Sequence, residues 1–318
     1  MPQQVNVGRS LNFAPGAIVT GSWNGSFDTG GTTYYVNNIT GSDTNPGTSW
    51  NSAVAQPEQA IALSEASRLI HVGTTTNDYI RNTIVVQGTG TAYTNVTEIP
   101  NYVNLIGLGA DPRGNGTGIA KIDGAGTADA LSVDSNGCRG LYMVNLQFNQ
   151  SSAGSFYGCD FAKLFRSRIE GCTFTNNGSG GLRIVLGGGV YIIDCASTND
   201  TVAQLIGLTL GSSATVNALK VVDCEWFGDT NGVSFIATAG KQTVFKNCAA
   251  IGGTYGWIDT TPSQVGHTPW YIDCYGFGTN NTTINQTGFV ISNDYTKRSV
   301  RCIDNANGTS RNYPTTAD

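Results

Sequence analysis

Three aspartates, Asp194, Asp223 and Asp273, each stand directly before a cysteine, and the same context recurs along the chain. Recurring carboxylates can cleave glycosidic bonds, where one carboxyl group protonates the leaving oxygen and a second acts as nucleophile or activates water. If the recurring segments stack as coils at strand spacing, Asp194 and Asp223 lie about 4.8 Å apart, and Asp223 and Asp273 about 9.6 Å apart. The first separation is near that of a retaining pair and the second near that of an inverting pair. The same register also holds Asn247 and Gly171. Asp, Asn and Gly share a different property: they tolerate a left-handed backbone. The aspartates are therefore either a carboxylate set or the bend residues of a repeat, and the bend reading also accounts for Asn247 and Gly171. No catalytic residue is assigned; Asp194, Asp223 and Asp273 are the candidates.

Other reactive side chains are scattered. Asp223-Cys224-Glu225 sets two carboxylates close together, although alternation or a bend between them would send them different ways. Lys163, Arg166 and Arg168, with Arg183, form the one local basic group. Alternation with Phe165 and Ser167 puts Arg166 and Arg168 on one outward strand face, open to an acidic glycan, an acidic partner or water. His267, in Gly266-His267-Thr268, is either a loop residue or a base. Trp226, Trp270 and Tyr271 could stack on sugars or fill the core. The Asn-x-Ser/Thr sequons, Asn38 and Asn95 among them, follow from an Asn- and Thr-rich composition. The chain has no Cys-x-x-Cys pair to suggest zinc, and no carboxylate cluster with a neighbouring base for calcium-dependent elimination. No metal and no cofactor is expected.

Composition narrows the elements that must carry these residues. Among 318 residues, 17 Lys and Arg face 22 Asp and Glu, and charged side chains make up 12%, about half the usual share. Helical bundles need more Ala, Glu, Lys and Leu, and disordered chains carry more charge and fewer aromatics. The mild acidity argues against a nucleic-acid partner, which requires clustered Lys and Arg. No run of 18 apolar residues suggests a membrane span. With 42 Gly among many β-branched runs, the chain reads as mostly β. Its start, Met1-Pro2-Gln3-Gln4, lacks the basic region and apolar stretch of a secretory signal. Synthesis and assembly in the cytoplasm, without Sec-dependent secretion, is the expectation.

Four zones follow. Residues 1–33 hold isolated apolar patches without periodicity and read as an arm that packs on something else. Residues 34–82 open with Tyr34-Tyr35-Val36-Asn37, run through a turn-rich loop and continue into a helix over Pro57 to Ile70, a natural cover for a sheet edge. Residues 83–305 are short apolar strands separated by Gly and Asn, and 306–318 are a polar tail. The eight cysteines, at 138, 159, 172, 195, 224, 248, 274 and 302, recur mostly every 20–30 residues, the period of a stacked repeat. Seven follow Gly, Asp or Asn; Cys302 follows Arg301. An αL residue between two strands turns the chain and points the next side chain inward. The cysteines are thus expected as a buried, reduced ladder, with disulfides as the alternative for an even number of thiols.

Here a resemblance becomes specific. Tyr34 to Trp50, Pro57 to Arg68, Ile84 to Gly88, Val103 to Gly109 and the repeating Ile-x-Asn/Asp/Gly-Cys-x-Phe pattern resemble the pectin-lyase-like superfamily over roughly residues 34–305. Such chains include bacteriophage tailspikes and capsid-decorating proteins. The resemblance implies an all-β fold, a right-handed single-stranded parallel β-helix with an N-terminal cap helix. That fold hosts lyases, hydrolases, epimerases and virus spikes alike. Trp257-Ile258-Asp259-Thr260 is similar to the Trp-Ile-Asp-His stretch of pectate lyases, with Thr260 where the family has His. Their Arg-x-Pro-x-x-Arg segment and the polygalacturonase motif set are absent from the sequence.

The expected function is therefore that of a structural protein of a bacteriophage particle, a capsid decoration (cement) protein or short spike. The resemblance implies a homotrimer, docked on capsid or tail proteins through residues 1–33, located in the virion and able to meet a host surface glycan. The alternative is a polysaccharide-degrading enzyme, a glycoside hydrolase or lyase such as a tailspike depolymerase.

Overall fold

The computed structural model describes residues 31–72, 80–114, 116–150, 154–198, 204–211, 215–236, 242–259, 269–278, 287–291, 299–306 and 309–313. The chain winds as a right-handed parallel β-helix with three sheets running along it. The first sheet stacks ten strands strictly in chain order, from Thr33–Val36 and Asn82–Gln87 to Trp270–Ile272 and Ser299–Val300. The second runs from Tyr93–Thr94 to Cys302–Ala306, and the third from Leu131–Val133 to Thr287–Ile291. Pairing between coils is parallel and in register, as in Arg168↔Tyr191↔Lys220↔Val244↔Trp270. Thr309–Tyr313, within the stretch read as a polar tail, pairs antiparallel with Cys302–Ala306 at the edge of the second sheet.

The strands are three to five residues in most coils because each needs only one or two inward positions. In the first sheet the central residues Met143, Ile169, Ile192, Val221, Phe245 and Tyr271 are buried. Parallel register sets like upon like, so aromatic rings stack. Phe245 and Tyr271 lie 5.2 Å apart with planes 4° from parallel, and Trp257 meets both edge-on at 5.2 and 5.4 Å. In the second sheet Phe148 and Phe174 stack at 5.7 Å, and Phe174 reaches Trp226 at 6.1 Å. Offset and edge contacts of this kind add about 0.5–1.5 kcal/mol per pair beyond the area they bury.

Left-handed residues make the corners. At the first corner, between the first and second sheets, Asn145, Gly171, Asp194, Asp223, Asn247, Asp273 and Arg301 all have φ between 50 and 56°. The bend leaves the ladder intact. The amides of Asp194, Asp223 and Asn247 donate to Val222, Lys246 and Ile272 carbonyls on the following coil at 2.9–3.0 Å. The next residue then points inward: Leu146, followed by Cys172, Cys195, Cys224, Cys248, Cys274 and Cys302, all buried, the six thiols all free. From Cys172 to Cys274 each thiol donates to the carbonyl two residues earlier, at 3.2–3.4 Å. Cysteine suits this corner because it is small, apolar and still a weak donor.

Two parts of the cysteine pattern differ from expectation. Arg301, the apparent exception, adopts the same αL conformation as the aspartates. Gly158 does not, and Cys159 lies in the third sheet within Tyr157–Phe165; Cys138 begins the short strand Cys138–Arg139 that pairs with it. Gly137 before Cys138 is left-handed, with φ 79°, as the pattern predicts, whereas at Cys159 strand alternation, not a bend, points the side chain inward. The disulfide alternative does not apply, since all eight cysteines are free.

The helix spans Pro57–Val72, with Pro57 in the first turn, where no amide donor is needed, and Glu58 beside it. It packs against Thr33–Val36 and Asn82–Gln87, burying Ala60, Ile61, Ser64 and Arg68 at helical spacing. Asn82 Nδ2 reaches Ser64 Oγ at 2.9 Å and Ser67 Oγ at 3.0 Å, and Arg68 donates to the Asn101 carbonyl at 2.7 Å. The helix therefore covers the core where the first strands leave it open. No described helix is long and apolar enough to cross a membrane.

Candidate functional site

The three candidate aspartates share the first corner as bend residues, and each is engaged sideways. Arg113, from the loop after Val103–Leu108, forms an ion pair with Asp194 and also donates to its carbonyl at 2.9 Å. Asp223 Oδ1 accepts from Asn247 Nδ2 at 2.7 Å. Asp273 receives Nε and Nη2 of Arg301 at 2.5 and 2.7 Å, a two-pronged contact between adjacent coils. That hydrogen bond holds the Asp273 carboxyl below its ordinary range. Stacking at the corner does bring Asp223 and Asp273 to one rim, with Asn247 between them.

One residue beyond each cysteine the chain enters the second sheet, whose outer face forms a groove. Strand register sets Glu225, Ala249 and Tyr275 in one column and Phe227, Ile251 and Phe277 in the next. A cavity of about 420 Å³ lies over Thr198, Glu225, Phe227, Ala249, Ile251 and Tyr275. A second, of about 230 Å³, adjoins it over Asp223, Asn247 and Asp273, sharing Glu225, Ala249 and Tyr275. The result is an apolar and aromatic floor with a carboxylate rim. Such a floor can stack against a sugar ring while the rim accepts its hydroxyl donors. Towards the N-terminal end, Gln147 Nε2 donates to the Pro112 carbonyl at 2.7 Å. The loop that carries Arg113 thus covers that end of the sheet.

Sequence reasoning singled out Asp223-Cys224-Glu225 but not the floor beside it. A signal was available: Glu225 to Gly228, Ala249 to Gly252 and Tyr275 to Gly278 share an outward-inward-outward-Gly pattern. Gly252 ends its strand so close to the next turn that a Cβ would sit 1.9 Å from the Tyr255 carbonyl oxygen.

The remaining candidates separate. Arg166 has φ 47° and makes the third corner, where the chain passes from Tyr157–Phe165 of the third sheet into Arg168–Glu170 of the first, so the alternation that would have set it beside Arg168 is broken there. Arg168 instead pairs with Glu170 at 2.8 Å, while Arg183 pairs with Asp160 and lies over the Tyr157 ring at 4.3 Å. No single basic face results. Trp226, Trp257 and Tyr271 are core residues, whereas Trp270 is 44% exposed. Asp259 is buried and accepts from Tyr271 Oη at 3.0 Å, so its likeness to the lyase stretch is a core contact. His267, Thr260 and residues 1–30 of the arm lie outside the described residues. Among the described residues no three His, Cys, Asp or Glu side chains gather as a metal site would require.

Burial controls the thiols. Desolvation pushes Cys138 up to about 12 and Cys159, Cys195 and Cys224 well above their ordinary value. The contact with the Cys248 thiol, together with burial, raises Cys274 to about 12. Thiols held neutral in this way are poor nucleophiles and poor metal ligands.

No protein-family model matches the sequence, and no curated protein matches it. Among solved structures, the crystal structure of pectate lyase Pel9A is similar at 14% identity and a TM-score of 0.38, over 79% of this chain and 65% of that one. The match thus spans less than two thirds of that protein's length, and likeness at this level carries no statement about chemistry. The strand order and register described above establish the architecture on their own: this chain is a right-handed parallel β-helix of three sheets.

Proposed function

We propose that this chain is a structural β-helix of a bacteriophage particle, a capsid decoration protein or short spike. It docks through residues 1–33 and presents the solenoid outward, without catalysis. The observation that carries this reading is the engagement of the corner aspartates. Asp194 is tied to Arg113, Asp223 to Asn247 and Asp273 to Arg301. All three occupy αL positions where Asn145, Gly171 and Asn247 serve equally. A catalytic pair needs one carboxyl group kept protonated and another left to attack or to activate water. These side chains are used instead to join coil to coil. A charge-poor, Thr- and Asn-rich surface and the missing family motifs support the same reading.

Quantitative mass spectrometry of purified source particles tests it. Hundreds of copies per particle support a decoration protein, and a few copies at the tail support a spike. Absence from any particle overturns the proposal. One observation favours a second reading, polysaccharide cleavage: the groove that sets Glu225 and Asp223 beside Tyr275 and Phe227. New reducing ends or unsaturated products from host polysaccharide, lost in Glu225→Gln, would establish that activity instead.

A further inference from the structure

The outer face of the first sheet is apolar over more coils than the outer face of the third. In the third sheet one outward column is polar over four coils, Asp160, Arg183, Thr209 and Ser234, and turns apolar only at Ile258. In the first sheet, the column beside the first corner reads Val144, Glu170, Ile193, Val222, Lys246 and Ile272. Its neighbour includes Tyr142, Tyr191 and Trp270, the last two 41% and 44% exposed. Parallel sheets are ordinarily covered on both faces, and a contiguous apolar patch on a solvent face marks an interaction surface.

Charge placement indicates the occupant. About a line between Tyr191–Ile193 and Lys220–Val222, the first-corner column reads apolar, acidic, apolar, then apolar, basic, apolar. A two-fold rotation about that line sets Glu170 against Lys246 of a second copy, Ile193 against Val222, and Val144 against Ile272. In the other column it sets Tyr142 against Trp270, Arg168 against Val244 and Tyr191 against Lys220, whose Nζ already lies 5.1 Å from the Tyr191 ring within one chain. Glu170 would meet Lys246 while still paired with Arg168 of its own chain at 2.8 Å. An isologous interface must be self-complementary in this way. Eight strands, from Val103–Leu108 to Ser299–Val300, at about 4.8 Å and roughly 15 Å across, bury about 1,100 Å² over both copies, enough for a specific interface.

We propose that this face is a homodimer interface, two copies packing antiparallel through their first sheets with Glu170 opposite Lys246. The arrangement puts the two Thr33 strands at opposite ends. Within the particle reading, on which this one corollary rests, that suits a cement protein bridging two docking sites better than a spike. The interface itself is tested on the isolated full chain, so its failure and that of the particle reading are separate results.

Sedimentation equilibrium at micromolar concentration should give twice the chain mass of 33.4 kDa. Lys246→Glu sets like charges together and should weaken the dimer about tenfold or more, while Lys246→Glu with Glu170→Lys should restore it. Circular dichroism and melting confirm that each variant folds. Mixing Ile193→Cys with Val222→Cys should give a disulfide-linked heterodimer under mild oxidation, whereas Ile193→Cys alone should not cross-link. A monomer at 50 µM, a parallel trimer, or a dimer indifferent to the charge swap would overturn the proposal.

Discussion

At the corner between the first and second sheets two columns run side by side along the solenoid, separated by a single peptide bond. After Leu146 the inner column is Cys from coil to coil, all buried, and from Cys172 to Cys274 bonded to backbone carbonyls. The outer column reads Gly171, Asp194, Asp223, Asn247, Asp273 and Arg301, residues with no common charge but a common φ. The inner column is selected on volume, because a packed interior resists any change of size. The outer column is selected on conformation, because side chains there reach water and only the backbone is constrained. An acidic residue recurring in such a column is weak grounds for catalysis.

The contrast should break first on the inside. Phe245 lies between Phe235, Trp257 and Tyr271, and Phe245→Ala should cost about 3–5 kcal/mol, the usual range for a buried aromatic. Urea unfolding followed by tryptophan fluorescence measures it, and a loss below 1 kcal/mol would mean the interior is not close-packed. On the outside, backbone geometry should matter more than charge. Asp223→Val forces a β-branched residue to φ 55° and should cost about 1–2 kcal/mol, whereas Asp223→Gly should be neutral within about 0.5 kcal/mol. Equal losses in the two variants would show that the carboxylate itself is required.

The smallest effect is electrostatic. Arg301 lowers the Asp273 carboxyl below its ordinary value of 3.8. A carboxyl group depressed in the folded state contributes stability above its unfolded value, and that contribution fades as pH falls through the folded one. Arg301→Gln should therefore reduce stability slightly at neutral pH and remove part of the loss on acidification below about pH 4. Identical acid unfolding curves would mean that the pair, exposed to solvent, contributes nothing.

Much of the corner was legible in the chain. Gly, Asp and Asn before Cys marked αL bends because few other residues tolerate that backbone cheaply. Arg301 was not legible, since Arg has no such preference; it is carried into the conformation by the coil beneath it and by its contact with Asp273. The third corner was missed for a related reason: Gly140 and Gly189 mark it in two coils, but Tyr102, Arg166, Ala218 and Gln242 take φ between 47 and 57° there with no shared side-chain chemistry. Gly158-Cys159 misled in the opposite direction. Its glycine lies within a strand, where the backbone of the next coil comes close.

The sequence by itself determined the period, the inward thiols, the cap helix and the class of fold. These depend on local backbone preference and on a hydrophobic rhythm that every coil repeats. Only the tertiary structure decided which residues meet across coils. Arg113 reaches Asp194 over 81 positions, Glu225 finds its aromatic floor, and Ile193 and Val222 fall side by side on the outer face of the first sheet. Such contacts depend on exact register and loop path, and a side chain's neighbours one coil away are set by the length of every intervening turn.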